Sequence, residues 1–319
     1  MATLAFRDPV FDGATDPVVV WNRSEGCWWM IYTSRRATAP TPGLGWVHGS
    51  DVGVASSPDG GRTWTYRGTL RLEQEFGRNT FWAPEVLWAR GSYHMFVSYV
   101  QGVPETWEGH RRHIMQYTSP DLEQWHYCGR LPLSSDYVID AAVHARPEGG
   151  YRLWYKDEAD GSSTWSVDSA DLSTWERPRR VLATPGGHEG PNVFSLGGWY
   201  WLIVDCWSGQ LVHRSGDMAS WEPAGKLLGP ETACPATCAE DVGPGFHADV
   251  VVDGERALVF YFTHPLADGG GRGTYEQRRT AILMAELEVR DGQLVCERSR
   301  PVTHALLVPS NAGMRKDKV

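Results

Sequence analysis

His188-Glu189-Gly190-Pro191-Asn192-Val193-Phe194 has four counterparts along the chain: Thr15-Asp16-Pro17-Val18-Val19-Val20, Trp82-Ala83-Pro84-Glu85-Val86-Leu87, Ile139-Asp140-Ala141-Ala142-Val143 and Phe246-His247-Ala248-Asp249-Val250-Val251. In each, an acid or a histidine stands just before or inside the first turns of an apolar, β-branched run. The copies recur at intervals of about fifty to seventy residues, the signature of a repeat architecture. If each run is the first strand of a small sheet, and five sheets stand radially round one axis, equivalent positions face one central space. Four carboxylates and an imidazole from remote parts of the chain then converge.

Each run is followed by further strand-like segments. In the first unit these are 27–33, 52–56 and 63–67; in the second, 93–99, 114–118 and 125–127. The third has 151–156, 165–167 and a strand opened by Trp175, and the fourth has 199–205, 211–214 and one opened by Trp221. The fifth has 257–262, 280–285 and 294–296. A second motif runs in phase with the first. Ser57-Pro58-Asp59, Ser119-Pro120-Asp121, Ser169-Ala170-Asp171 and Ser215-Gly216-Asp217 each precede a tryptophan and mark the turn into the fourth strand. Serine and aspartate hold such turns by bonding nearby backbone N–H groups. The sequence therefore predicts an all-β, five-bladed β-propeller with four-stranded antiparallel blades. It forms one catalytic domain over residues 1–309, followed by a disordered tail at 310–319.

Composition narrows the partners. A net charge of −9 in 319 residues argues against nucleic acid or an anionic membrane, either of which needs a cationic patch. Sixteen tryptophans suit sheet-to-sheet packing and also a sugar surface, because a flat ring covers the apolar face of a pyranose or furanose. No basic region followed by an apolar stretch opens the chain, which leads to the expectation of a cytoplasmic protein acting on a small imported saccharide. The six cysteines read as reduced, with Cys234 and Cys238 alone close enough in sequence to pair.

Cleaving a glycosidic bond takes one carboxylic acid to protonate the departing oxygen and one carboxylate on the opposite side of the sugar. Carboxyls crowded on one axis raise one another's pKa and so divide into protonated and ionised members. Asp16-Pro17, Trp82-Ala83-Pro84-Glu85-Val86, Ile139-Asp140, Glu189-Gly190-Pro191 and the lone His247 resemble the motif set of the five-bladed propellers of glycoside hydrolase family 43, over about residues 8 to 305. The family usually has Asp where this chain has Glu85, and Pro where it has Ala141.

The resemblance implies Asp16 as general base, Asp140 as the carboxylate that tunes the acid and orients substrate, and Glu189 as general acid. It also implies that Trp82 and Glu85 line a sugar pocket, and that His247 sits at the axis, where a structural calcium is the candidate ion; no cofactor is otherwise required. Further candidates for substrate contact are Trp46 and His48 in the long first loop, Lys156, which is placed to pair with Asp140 or hold a hydroxyl, and His188 and Asn192 beside the acid. Asp205 and His264 read as corresponding structural positions; Arg35, Arg36 and Arg78 are candidates to hold a phosphate or carboxylate, with surface salt bridging the expected role of at least two of them. Loops 38–50 and 101–110 are expected to close the pocket, giving exo attack. The implied activity is inverting hydrolysis of an arabinofuranoside- or xyloside-like bond. A retaining fructofuranosidase-like enzyme and an inverting phosphorylase are alternatives on the same fold, and a sugar-binding propeller without turnover is the alternative of another class.

Overall fold

A computed structural model describes residues 2–266, 273–303 and 305–309; the expected tail at 310–319 lies outside them. After β1 (Thr3–Phe6), the first blade is β2 (Ala14–Asn22), β3 (Cys27–Ser34), β4 (Asp51–Ser57) and β5 (Thr65–Thr69). The second is β6 (Thr80–Ala89), β7 (Ser92–Val100), β8 (His113–Ser119) and β9 (His126–Arg130). The third is β10 (Val138–Ala145), β11 (Tyr151–Asp157), β12 (Ser163–Ser169) and β13 (Arg179–Leu182). The fourth is β14 (Glu189–Leu196), β15 (Trp199–Asp205), β16 (Gln210–Ser215) and β17 (Glu222–Leu227). The fifth joins β18 (Phe246–Asp253), β19 (Arg256–Thr263) and β20 (Ala281–Arg290), with β21 (Gln293–Val295) on β20.

The five-bladed, all-antiparallel architecture is the one read from the repeats, with one correction. The outer strand of the fifth blade is β1, from the other end of the chain, and not residues 294–296; Leu294 and Val295 only extend β20 as a hairpin. Among the described residues β1 pairs with no strand but β20, whose edge it covers, so the two ends of the described chain close the ring together.

Five wedge-shaped cores separate the blades. Val18, Ile31, Met95 and Tyr117 fill the space between the first and second. Leu87, Phe96, Val143 and Leu153 fill the next, and Trp154, Val193 and Leu202 the third. Phe194, Trp201, Val250 and Leu283 lie between the fourth and fifth, and Val19, Met30, Val251 and Phe260 close the circle. Each inner sheet is covered on both faces, which is why the inner strands read as nearly continuous apolar runs instead of alternating. The Ser-x-Asp turns act as their chemistry suggests. Ser119 Oγ accepts the Leu122 N–H at 2.9 Å, and Asp121 Oδ1 accepts those of Glu123 and Gln124. The third blade repeats the pattern with Ser169 and Asp171. Leu122, Leu172 and Met218 follow in the left-handed region and pack as buried plugs into the wedges.

The innermost strands share one irregularity. In every blade the pairing of first and second strands slips across two residues: Asp16-Pro17, Ala83-Pro84, Asp140-Ala141, Gly190-Pro191 and His247-Ala248. Such bulges re-aim side chains and are common beside active sites. Asp16, Ala83, Asp140 and Gly190 hold φ of 49°, 44°, 60° and 54° there, a conformation that strains any residue but glycine. Strain at Asp16 and Asp140 thus coincides with the two motif aspartates. Gly190 is needed for a second reason: a Cβ there would stand 2.9 Å from the His247 ring.

Candidate active site

Three blades present an acceptor on the second strand, opposite the residue before the bulge, and give it to the next blade. Thr33 Oγ1 accepts the Ala83 N–H at 2.8 Å, Ser98 Oγ the Asp140 N–H at 2.9 Å, and Asp205 Oδ2 the His247 N–H at 2.8 Å. The bulges are therefore held in place round the ring by their neighbours. They open into one cavity of about 480 Å³, lined by Asp16, Asp140, Glu189 and His247 among others. Residues more than 230 positions apart in the chain meet on its floor.

Asp16 is buried. It accepts from the Thr15 hydroxyl at 2.9 Å, lies 3.3 Å from the Arg35 guanidinium, and has its Oδ1 3.5 Å from His247 Nδ1. Burial pushes its carboxyl up, but Arg35, His247 and the hydroxyls of Thr33 and Thr15 outweigh it and hold Asp16 below the ordinary carboxylate range. Asp140 behaves oppositely. Burial, with Glu189 and Asp16 adding like charge and His247 and Lys156 only partly offsetting it, pushes Asp140 up to about 6. Its Oδ2 accepts the Gly190 N–H at 3.1 Å. Glu189 lies partly open on the cavity floor with Lys156 Nζ 2.9 Å from Oε2. Burial works against its charge, yet Lys156, His247 and the Trp207 side chain hold Glu189 below its usual value. His247 is opposed by burial and favoured by Asp140, Asp16, Glu189 and Asp205, which leave the imidazole raised and inclined to carry its proton.

The walls are aromatic. Trp82 stacks on Trp107 with ring centroids 5.4 Å apart and planes 8° from parallel, and Trp82 Nε1 donates to the Val47 carbonyl at 2.9 Å. Trp46 and Val47 from the first loop, Trp107 from the loop after β7, and Trp207 complete the rim. The two loops expected to shape the pocket do so.

Of the residues singled out in the sequence, Asp16, Asp140, Glu189, His247, Trp82, Trp46 and Lys156 line this cavity. The others do not. Glu85 lies two residues beyond the position of Asp16 and Asp140 in the common register, buried, where its Oε1 accepts the Val143 N–H of the next blade at 3.0 Å. Asn192 occupies the same level and donates to Asp249 Oδ1 at 3.1 Å. Asp249 in turn accepts the Val19 N–H at 2.8 Å. These residues pin blades together below the cavity, because the bulge shifts the level at which each side chain meets the axis. His188 is enclosed between the hydroxyls of Thr164 and Thr184, and burial drives it down to about 4. His48 is likewise buried and driven to about 4, with its ring against Trp82 and Trp107; it supports the wall from behind. Lys156 bonds Glu189, not Asp140.

Asp205 and Arg35 belong to the site although sequence reasoning set them aside. Asp205 lies opposite Glu189 in the sheet, its level matching Phe262 and not His264. Burial, with Glu189 close by, pushes it up to about 7 while the Trp207 and His247 N–H groups bond it. Trp107, Trp207 and Glu158 were also missed. Their sequence signal, a tryptophan or an acid in a loop, is too common to select them.

A structural calcium would take six to eight oxygens from side chains, backbone carbonyls or water. Among the described residues no three His, Cys, Asp or Glu side chains are grouped to hold one ion, and His247 Nδ1 faces Asp16.

No protein-family model and no curated protein matches the chain. Solved structures do match it. A thermostable family-43 glycoside hydrolase superposes with a TM-score of 0.67 at 18% identity, covering 95% of this chain and 99% of its own. The GH43_1 enzyme from Xanthomonas citri, complexed with xylotriose, gives 0.67 at 15% identity over 92% and 93%. An exo-1,5-alpha-L-arabinanase from a bovine ruminal metagenomic library gives 0.62 at 16% over 94% and 100%. The chain therefore has the five-bladed propeller fold of those structures over nearly its whole length.

Proposed function

We propose that the protein is a glycoside hydrolase that releases a terminal pentose or furanose from a small oligosaccharide or glycoside, with inversion at the anomeric carbon. The observation that carries the reading is the meeting of Asp16, Asp140 and Glu189 on the floor of one tryptophan-walled cavity. The fold shared with hydrolases named for xylosides and arabinans, with two of the cited structures holding xylotriose, favours a pentoside.

In this reading Glu189 gives its proton to the departing oxygen as the anomeric C–O bond breaks. A water attacks the opposite face and yields its proton to Asp16. The low pKa of Asp16, set by Arg35 and His247 against burial, keeps the base ionised. Asp140 feels both Glu189 and Asp16, the place from which a carboxyl can tune the acid. The Trp82 and Trp107 wall packs against the sugar ring. Arg35 and Lys156 are each engaged by a carboxylate, which favours water over phosphate as the acceptor.

The test is a screen of 4-nitrophenyl pentosides and furanosides with NMR of the anomer first released. Wild type is expected to release sugar with inverted configuration, Asp16→Asn to lose about 10²–10⁴ of the rate on any glycoside, and Glu189→Gln to lose as much on a methyl glycoside, whose leaving group needs the proton. Sugar release unchanged in both variants would end the proposal, and sugar binding without release would make the protein a binder.

A further inference from the structure

We propose that Lys156 is a positioning residue shared between Glu189 and Glu158, and that its transfer from the first to the second is what lets Glu189 take up the proton it must donate. The proposal rests on the reading of Glu189 as proton donor.

Lys156, like Phe262 of the fifth blade, departs from the pattern that the other three blades share, and it alone puts a cation there. On β11 it pairs with Ile139 of β10, the level at which Thr33, Ser98 and Asp205 accept the N–H of the following blade. A lysine cannot accept, so the Gly190 N–H turns to Asp140 instead. Where local structure asks for an acceptor and the chain supplies a buried cation, a functional demand is the natural cause. The side chain of Lys156 is only 4% exposed, with Nζ 2.9 Å from Glu189 and 3.3 Å from Glu158. Glu158 is anchored from behind by Arg112 Nε at 3.2 Å. The Arg112 guanidinium covers the Trp107 ring at 4.5 Å and bonds the Trp107 carbonyl. Two carboxylates thus hold one ammonium, and the second is braced by the residue beneath the cavity wall.

As found, the arrangement favours an ionised Glu189, which cannot protonate a leaving group. The flexible stem of a lysine allows Nζ to move between oxygens this close. With Nζ on Glu158, Glu189 loses its strongest opposite charge. Asp140 from the third blade and Asp205 from the fourth then favour its neutral form, against His247 from the fifth and the Trp207 N–H; Asp16 of the first blade is engaged by Arg35, Glu158 by the ammonium, and His188, beside Glu189 in sequence, faces away between two hydroxyls.

The experiment compares kcat/KM against pH for wild type, Lys156→Met, Lys156→Arg, Glu158→Gln and Glu189→Gln. It uses the 4-nitrophenyl and methyl glycosides of whichever sugar the screen identifies. The methyl glycoside needs protonation to leave and the nitrophenyl one hardly does. If Glu189→Gln slows both equally, the donor reading fails whatever Lys156 does. If it slows the methyl glycoside selectively, the donor stands and the lysine is tested alone. Lys156→Met is then expected to move the basic limb up by about one pH unit, Glu158→Gln to move it down by about as much, and Lys156→Arg to restore it. Opposite displacements are not produced by loosened packing. Limbs that stay put or move together overturn the proposal, and Glu158→Gln decides it if Lys156→Met does not fold.

Discussion

Removing the Asp249 carboxylate should loosen the ring at its seam. Asp249 directly follows the fifth bulge, buried, and its two oxygens reach the blades on either side: Oδ2 accepts the Val19 N–H of the first blade at 2.8 Å and Oδ1 the Asn192 amide of the fourth at 3.1 Å. In Asp249→Ala both donors are left buried without that acceptor. Each costs about 1–3 kcal/mol, so the variant should lose roughly 2–6 kcal/mol, a large part of the ~5–15 kcal/mol that keeps a protein folded. The measurement is urea unfolding at constant slope, with Glu255→Ala, in the exposed turn of the same blade, as a control expected within about 0.5 kcal/mol. Asn192→Ala removes one of the stranded donors, so the double variant should be more stable than the sum of the two losses by about 0.5–3 kcal/mol. A loss below about 0.5 kcal/mol in Asp249→Ala, or strict additivity in the double variant, would refute the view that the axis is locked by these side chains.

Stability should fall as pH rises from about 4 to about 7. Asp140 and Asp205 carry raised pKa values of about 6 and about 7, so the folded state keeps protons that the unfolded chain releases, at about 1.4 kcal/mol per pH unit for each. His247, also raised, adds to the fall as pH climbs through its folded value. Asp16 and Glu189, lowered, act in the opposite sense and only as pH drops through their own folded values. Urea midpoints at pH 4.5, 6 and 8 check this, and Asp140→Asn should flatten the curve; a midpoint that rises with pH contradicts it. Glu85→Ala should cost about 1–3 kcal/mol by orphaning the Val143 N–H while KM stays unchanged, which denaturation and steady-state kinetics on the screened glycoside separate. Trp107→Ala, which removes the outer member of the stacked pair, should raise KM by about tenfold with kcat nearly constant, the mark of lost uniform binding.

The repeat, the blade count, the Ser-x-Asp turns and the convergence of Asp16, Asp140, Glu189 and His247 were legible in the sequence, because each is local chemistry repeated in phase. A serine and an aspartate two residues apart make the same turn wherever they occur, and a β-branched run is a strand in any blade. Which residue of each motif reaches the cavity was decided only in three dimensions. The bulge inserts a slip into every inner strand, so Glu85 and Asn192, two residues beyond the level of Asp16 and Asp140, drop to the axis below and become clamps. The same holds for what completes the site: Lys156 beside Glu189, Asp205 under His247, Trp107 against Trp82, and β1 closing the last blade. Those contacts join segments far apart in the chain, and no rule of local spacing specifies which distant partner arrives.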